Sequence, residues 1–188
     1  MSWVEERFSV LPVSRAYRLL HPRPVVIVTT RLGERDNAMS ASWVTPVSFD
    51  PPLVAVSIAP ERFTYELLVR SGVFALNVPG EDLLWCVDYV GTISGRSKDK
   101  LRALKEKGVK IGRGRRLDVP VLLDSLAVLE CEVYKKVEAG DHVLFIGKVV
   151  ECYARKDLFV GGVYVEGVSP LMHVGGDLYS IAEKRFRP

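Results

Sequence analysis

The sequence predicts a mainly β fold with helices inserted singly, closed into a small antiparallel barrel. Three observations point there. β-Branched runs without polar alternation recur, as in Val25-Val-Ile-Val-Thr-Thr30 and Leu53-Val-Ala-Val-Ser-Ile58, and such runs suit strands covered on both faces. Helices do not follow every strand, which argues against a doubly wound α/β sheet. Closure removes the exposed edges that so many apolar strands would otherwise leave. With 188 residues, 48% hydrophobic and 26% charged, the chain is expected to form one domain over residues 1–188 with a core of its own. No stretch approaches the ~18 uninterrupted apolar residues of a membrane span. Met1–Glu6 carries acids where a secretory signal carries bases, so a cytoplasmic protein without a membrane partner is expected.

The elements follow in order. Ser14–Leu20 reads as a short amphipathic helix opened by a serine cap and stopped by Pro22 and Pro24. Val25–Thr30 is the first strand, Arg31–Asp36 a turn, and Asn37–Phe49 a second, polar-dotted strand. Asp50-Pro51-Pro52 breaks it, because proline cannot donate to a ladder. Leu53–Ile58 is a third strand. Glu61–Arg70 has helical spacing, with Phe63, Leu67 and Leu68 on one side and Gly72 at its end. Val73–Val78 is a fourth strand, and Glu81–Val90 and Ser97–Lys107 are further helices. Lys110–Leu117 reads as a basic loop. Leu126–Glu138 and His142–Ala154 form a long hairpin about Ala139-Gly140-Asp141. A last short strand, Leu158–Tyr164, precedes an irregular tail containing Leu171–Gly176.

Common catalytic signatures are missing: there is no Gly-x-Ser-x-Gly elbow, zinc-binding His-Glu-x-x-His, phosphate loop or Gly-x-Gly-x-x-Gly dinucleotide fingerprint. His21, His142 and His173 lie far apart on unlike elements, so no metal site is expected. Cys86, Cys131 and Cys152 are odd in number, lack metal-like spacing and read as small core residues. Pairing about Gly140 places Cys131 near Val149 and not opposite Cys152, which gives no support to a disulfide. A net charge of +3 is too small to argue for nucleic acid, and the Arg113-Gly-Arg-Arg116 cluster has no interleaved aromatic residues. A nucleic-acid-binding β-barrel using that loop is therefore a distant alternative.

Asn37-Ala-Met-Ser-Ala-Ser-Trp43 stands out. Alternation puts Ala38, Ser40 and Ser42 on one face, and Asn37, Met39, Ala41 and Trp43 on the other. Small residues leave room for something flat against the backbone, and hydroxyls supply donors without bulk. A sheet edge whose hydroxyls merely meet water has the same composition, so both readings remain open on composition alone.

The ordered set Arg23–Thr30, Asn37–Trp43, Phe49–Ser57, Gly72–Val78, Gly91–Lys100, Gly140–Val149 and Leu171–Gly176 resembles the flavin reductase-like family over about residues 15–180. That family includes flavoredoxins, archaeal ferric reductases and the reductase components of two-component monooxygenases. The resemblance implies an FMN-binding split β-barrel of Greek-key antiparallel type, working as a homodimer with the flavin near the interface. Asn37, Ala38, Met39, Ser40, Ala41, Ser42 and Trp43 would lie along the flavin ring and ribityl chain. Ser57, Arg62 and Thr64, with Ile58 beside them, would take the phosphate at a helix start, and Lys100 would add a second cation. Without the resemblance, Arg62 and Lys100 read as solvated surface. His142 would sit at the barrel rim near flavin and nicotinamide, or simply bond Asp141, and no side-chain acid is expected to be indispensable. His173 reads as a packed tail residue, and Trp43 as a ring neighbour, core or interface residue. The implied activity is that of an NAD(P)H:flavin reductase with FMN, or FAD, as cofactor and NADH or NADPH as transient donor. Its electrons would pass to a small acceptor or a partner oxygenase. A flavin-binding electron carrier without nicotinamide turnover is the alternative.

Overall fold

A computed structural model describes residues 7–186, so the expectation drawn from Met1–Glu6 lies outside the described residues. At the centre is a seven-stranded antiparallel sheet of order β3-β2-β6-β9-β10-β5-β4. Its strands are β2 (Val26–Leu32), β3 (Arg35–Ala41), β4 (Val44–Ser48), β5 (Leu53–Ile58), β6 (Val73–Val78), β9 (Ala127–Ala139) and β10 (His142–Ala154). The outermost strands, β3 and β4, are consecutive in the chain and joined only by Ser42 and Trp43. A link this short reaches about 10 Å at most. The sheet must therefore roll until its two edges lie side by side, and no ladder pairs β3 with β4. This is a split barrel, and Ser42-Trp43 crosses its seam. Pro46 lies in edge strand β4, where a missing donor is tolerated.

The two-sided apolar character of β2 follows from its position. Val26 and Val28 point into the barrel with Val56, Phe74, Leu76 and Phe145. Val25 and Ile27 point outward into a second core with Cys86, Val87 and Val90 from α2 (Leu84–Thr92) and Leu101 and Leu104 from α3 (Lys100–Glu106). Fully burying each such side chain contributes about 1.5–3 kcal/mol. At the middle of β10, a Cβ on Gly147 would overlap the Phe74 ring, so a large residue on β6 requires none there.

Several expectations change. The Asn37–Phe49 strand is two strands, because the chain turns from one sheet edge to the other at Ser42-Trp43. The first helix is a 3-10 helix over Val13–Leu20 that follows Pro12 and has no side-chain cap, so Ser14 does not cap it. The helix expected over Glu81–Val90 begins as a 3-10 turn at Glu81–Leu83. The helix expected over Ser97–Lys107 starts at Lys100, where Asp99 accepts from Arg102 N at 2.9 Å. Lys110–Leu117 is not simply a loop: β7 (Ile111–Arg113) pairs with β8 (Pro120–Leu122). Arg115, Arg116 and Leu117 donate their N–H groups to the buried Glu130 carboxylate at 2.6, 2.9 and 2.7 Å. Leu158–Tyr164 is a hairpin of β11 (Phe159–Val160) and β12 (Val163–Tyr164). The irregular tail forms β13 (Met172–Gly175) and β14 (Leu178–Ser180), which make a small sheet with β1 (Arg23–Pro24).

The long hairpin keeps the expected register, with Val149 opposite Cys131 and Leu129 opposite Cys152. All three cysteines are free; Cys86 and Cys131 are buried, whereas Cys152 is exposed on β10 rather than in the core. Among the described residues no helix is long and apolar enough to cross a membrane.

Candidate functional site

A cleft of about 360 Å³ opens where β3, the Ser42-Trp43 link, the end of β5, the start of α1 (Phe63–Ser71) and the connector from α2 to α3 converge. Asn37, Met39, Ser40, Ala41, Ser42 and Trp43 form its strand wall. Ser57, Ile58, Arg62 and Thr64 form its floor and one end, and Lys100 and His142 complete it. Ala38 is the exception. It shares a face with Ser40 and Ser42 but lies farther along β3, where α2 and α3 cover it, and it is wholly buried in the outer core.

The wall is stitched to the helix. Buried Asn37 donates Nδ2–H to Thr64 Oγ1 at 2.8 Å, which ties β3 to the first turn of α1. The end of α2 and the connector after it pass very close: a Cβ on Gly91 in the last turn of α2 would overlap Ser40 Oγ, and one on Gly95 in the connector would overlap Asn37 Oδ1.

One end of the cleft is cationic. Arg62 occupies the N-cap of α1, and no side chain caps that helix. Tyr65 N–H bonds back to Arg62 O at 3.0 Å, the Phe63 and Thr64 N–H groups before it have no partner within the helix, and the helix dipole favours an anion there. Lys100 is only 5% exposed, against its surface reading, and donates Nζ–H to Val90 O at 2.8 Å. Burial, then the nearby Arg62 charge, lowers its pKa from the usual 10.5 to about 8. Arg96, which the residue-level reading missed, donates to Glu61 O at 2.9 Å and pairs with Glu66. Two guanidiniums lie over the Phe63 ring, Arg35 at 4.6 Å and Arg96 at 5.5 Å from its centre. The available signal was position: Arg96 falls in the same Gly91–Lys100 block as Lys100.

At the other end, the His142 ring stacks on Trp43 with centroids 4.7 Å apart and planes 28° apart. His142 Nδ1 lies 2.7 Å from Asp141 Oδ1, and this hydrogen bond holds the Asp141 carboxyl below its usual range. Proximity to the cleft and bonding to Asp141 are thus both true of His142. Two histidines expected to lie apart meet elsewhere: β1–β13 pairing brings His21 and His173 edge to face at 5.1 Å. Arg113 is bound through two N–H groups to Asp36, both at 2.8 Å, so part of the basic cluster is already neutralised.

A flat wall of small and hydroxyl residues, a cationic helix start and an aromatic rim suit a planar ring carrying a phosphate. On a split antiparallel barrel, these features define the flavin-binding oxidoreductase class. The chain belongs to the flavin reductase-like family, whose domain matches residues 17–182. An uncharacterised protein of Pyrococcus abyssi is 40% identical over 146 residues, 78% of this chain and 82% of that one. An FMN-binding protein from Thermus thermophilus, crystallised with bound 1-cyclohex-2-enone, is 31% identical with a TM-score of 0.85 over 96% of this chain and 98% of that one. Flavoredoxin of Desulfovibrio vulgaris (Miyazaki F) shares the fold, with a TM-score of 0.80 and 24% identity over 89% and 91% of the two chains.

Proposed function

We propose that the protein binds FMN in this cleft, takes a hydride from NADH or NADPH, and passes the electrons to a small acceptor or a partner oxygenase. The observation that carries this is the convergence of the uncapped start of α1 with Arg62 and buried Lys100 at one end of the small-residue wall. Lys100 uses one donor on Val90 O, so its ammonium has donors to spare for a phosphate, and the residues present fit the group. FAD shares that phosphate and suits the same end.

When bound, FMN supplies the chemistry that accepts a hydride and releases electrons. The chain's residues bind and orient. Arg62 and Lys100 offset the phosphate charge, and the first N–H groups of α1 donate to it. Ser40 and Ser42 offer hydroxyls to the polar edge of the ring and to the ribityl chain. Trp43 and His142 bound the site at the rim. Hydride transfer needs alignment more than proton chemistry, and the proposal gives no side chain the role of an indispensable acid. The Thermus protein's FMN supports the cofactor assignment.

A homodimer belongs to the same proposal. The Val13–Leu20 helix has no buried residue and exposes Val13, Leu19 and Leu20, an apolar surface suited to a second copy. A visible spectrum of the purified protein after FMN addition and removal of excess tests the site, followed by anaerobic titration with NADH and NADPH. Retained flavin that either nicotinamide bleaches rapidly is the expected result. Retained flavin reduced only by another redox protein would assign an electron carrier instead. Failure to perturb FMN fluorescence at high protein concentration would overturn the flavin assignment.

A further inference from the structure

Beside the cleft, beyond Trp43, lies a cationic cluster that the flavin assignment leaves unused. Arg23 on β1 pairs in register with His173 on β13. Its guanidinium sits 5.6 Å from the Trp43 ring centre and 5.9 Å from that of Tyr17. One terminal nitrogen lies 2.5 Å from His21 Nε2. An arginine N–H can only donate, so Nε2 is the acceptor and the His21 ring proton is on Nδ1. His173 Nε2 donates to Gly176 O at 3.0 Å.

One buried donor of the cluster, Arg23 Nε–H, has no hydrogen-bond partner among the described residues; His173 Nδ1, also unpartnered there, is an acceptor in the tautomer whose Nε2 donates to Gly176 O. None of the ion pairs among those residues involves Arg23. The Arg18 charge adds to the positive field at His21. A buried guanidinium N–H without an acceptor is costly, and an oxyanion would satisfy it with a charge-assisted bond. The cluster also communicates with the cleft. Trp43 lines the cleft and carries Arg23 beside it, whereas the second hollow of about 490 Å³ that His173 lines, which meets the cleft along Ser40, Ser42 and Arg62, also carries the Asp88 and Asp177 carboxylates, so the anion is placed on the Trp43 side.

We propose that Arg23 and His21 form an oxyanion subsite holding a phosphate or carboxylate group of the second substrate while its reacting part enters the cleft past Trp43. Arg23 Nε–H and His21 Nδ1–H are the donors. The subsite rests on the flavin assignment for its purpose, though not for its chemistry.

Calorimetric titrations of the FMN-saturated protein with NADP+ and with benzoate test it, with nicotinamide and benzamide as neutral counterparts. At least one anion binds the native chain; NADP+ points to a dinucleotide and benzoate to an aromatic acid. Arg23→Ala weakens that anion by about tenfold or more, Arg23→Lys keeps most of the affinity, and neither change alters binding of the neutral compounds. Binding of neither anion would overturn the subsite, as would equal loss for anion and neutral compound. FMN uptake is read separately from the visible spectrum. A native chain that takes up no FMN overturns the functional assignment, and the same titrations without FMN then decide the subsite.

Discussion

Asn37 Nδ2 donates to Thr64 Oγ1 at 2.8 Å, and this one bond joins the strand wall of the cleft to the helix that forms its cationic end. Both residues are at least 97% buried. Asn37→Ala leaves the Thr64 hydroxyl without its donor and costs about 1–3 kcal/mol. Thr64→Val strands the Asn37 amide at a similar cost. The double variant loses less than the sum of the two, because the second change removes an already orphaned partner. Urea unfolding of the three variants checks this; strict additivity would mean that the bond does not couple the two elements.

Arg62→Ala separates the phosphate from the ring. Riboflavin has the ring and ribityl chain of FMN without the phosphate. The substitution is therefore expected to weaken FMN by tenfold or more, on the order of one charge-assisted hydrogen bond, and riboflavin by little. Paired fluorescence titrations measure both. Equal loss for the two ligands would place the phosphate elsewhere.

Lys100 makes FMN affinity depend on pH. Its ammonium loses its proton near pH 8 in the free protein, whereas a bound phosphate favours the charged form. Affinity is thus highest below pH 8 and declines as the pH rises above it. Dissociation constants from pH 6.5 to 9.5 are expected to show that decline for FMN, a flat profile for riboflavin, and a flat profile for FMN with Lys100→Met.

Glu130 governs acid stability. Burial alone would raise its carboxyl, but the three backbone N–H bonds from Arg115, Arg116 and Leu117, with the Tyr153 hydroxyl beside it, hold it below the usual 4.5. A group lowered in the folded state stabilises above about pH 4.5, and that contribution is lost as the pH falls through the folded value. Glu130→Gln is expected to cost about 1–3 kcal/mol at pH 7 and to flatten the acid limb of a stability–pH curve measured by urea unfolding.

Gly147→Ala places a methyl against the Phe74 ring in a filled barrel. Overpacking of this kind costs about 1–3 kcal/mol. Phe74→Leu in the same chain should recover part of the loss, which thermal unfolding of the single and double variants would show.

Much of this architecture can be read in the residues, for physical reasons that also mark where reading stops. The apolar run at Val25–Thr30 announces burial on both faces, and β2 is covered on both faces by distinct cores. The Gly140 turn sets the hairpin register that pairs Val149 with Cys131. Alternation correctly groups Ala38 with Ser40 and Ser42, yet only the packing of α2 and α3 decides that Ala38 is core while the serines line the cleft. Lys100 reads as surface because its charge says nothing of the Val90 carbonyl that receives it. Strand β13 is invisible locally, since its partner, β1, lies about 150 residues earlier in the chain. The meeting of His21 with His173 follows from that pairing and from no local pattern.

The Ser42-Trp43 link has one further consequence. It joins the two free edges of the rolled sheet and at the same time supplies part of the cleft wall. Unrolling the barrel and dismantling the binding site are therefore one motion of the same short stretch of chain. A ligand seated across that stretch acts as a clasp on the barrel, and the free energy of holding it returns as resistance to opening the protein.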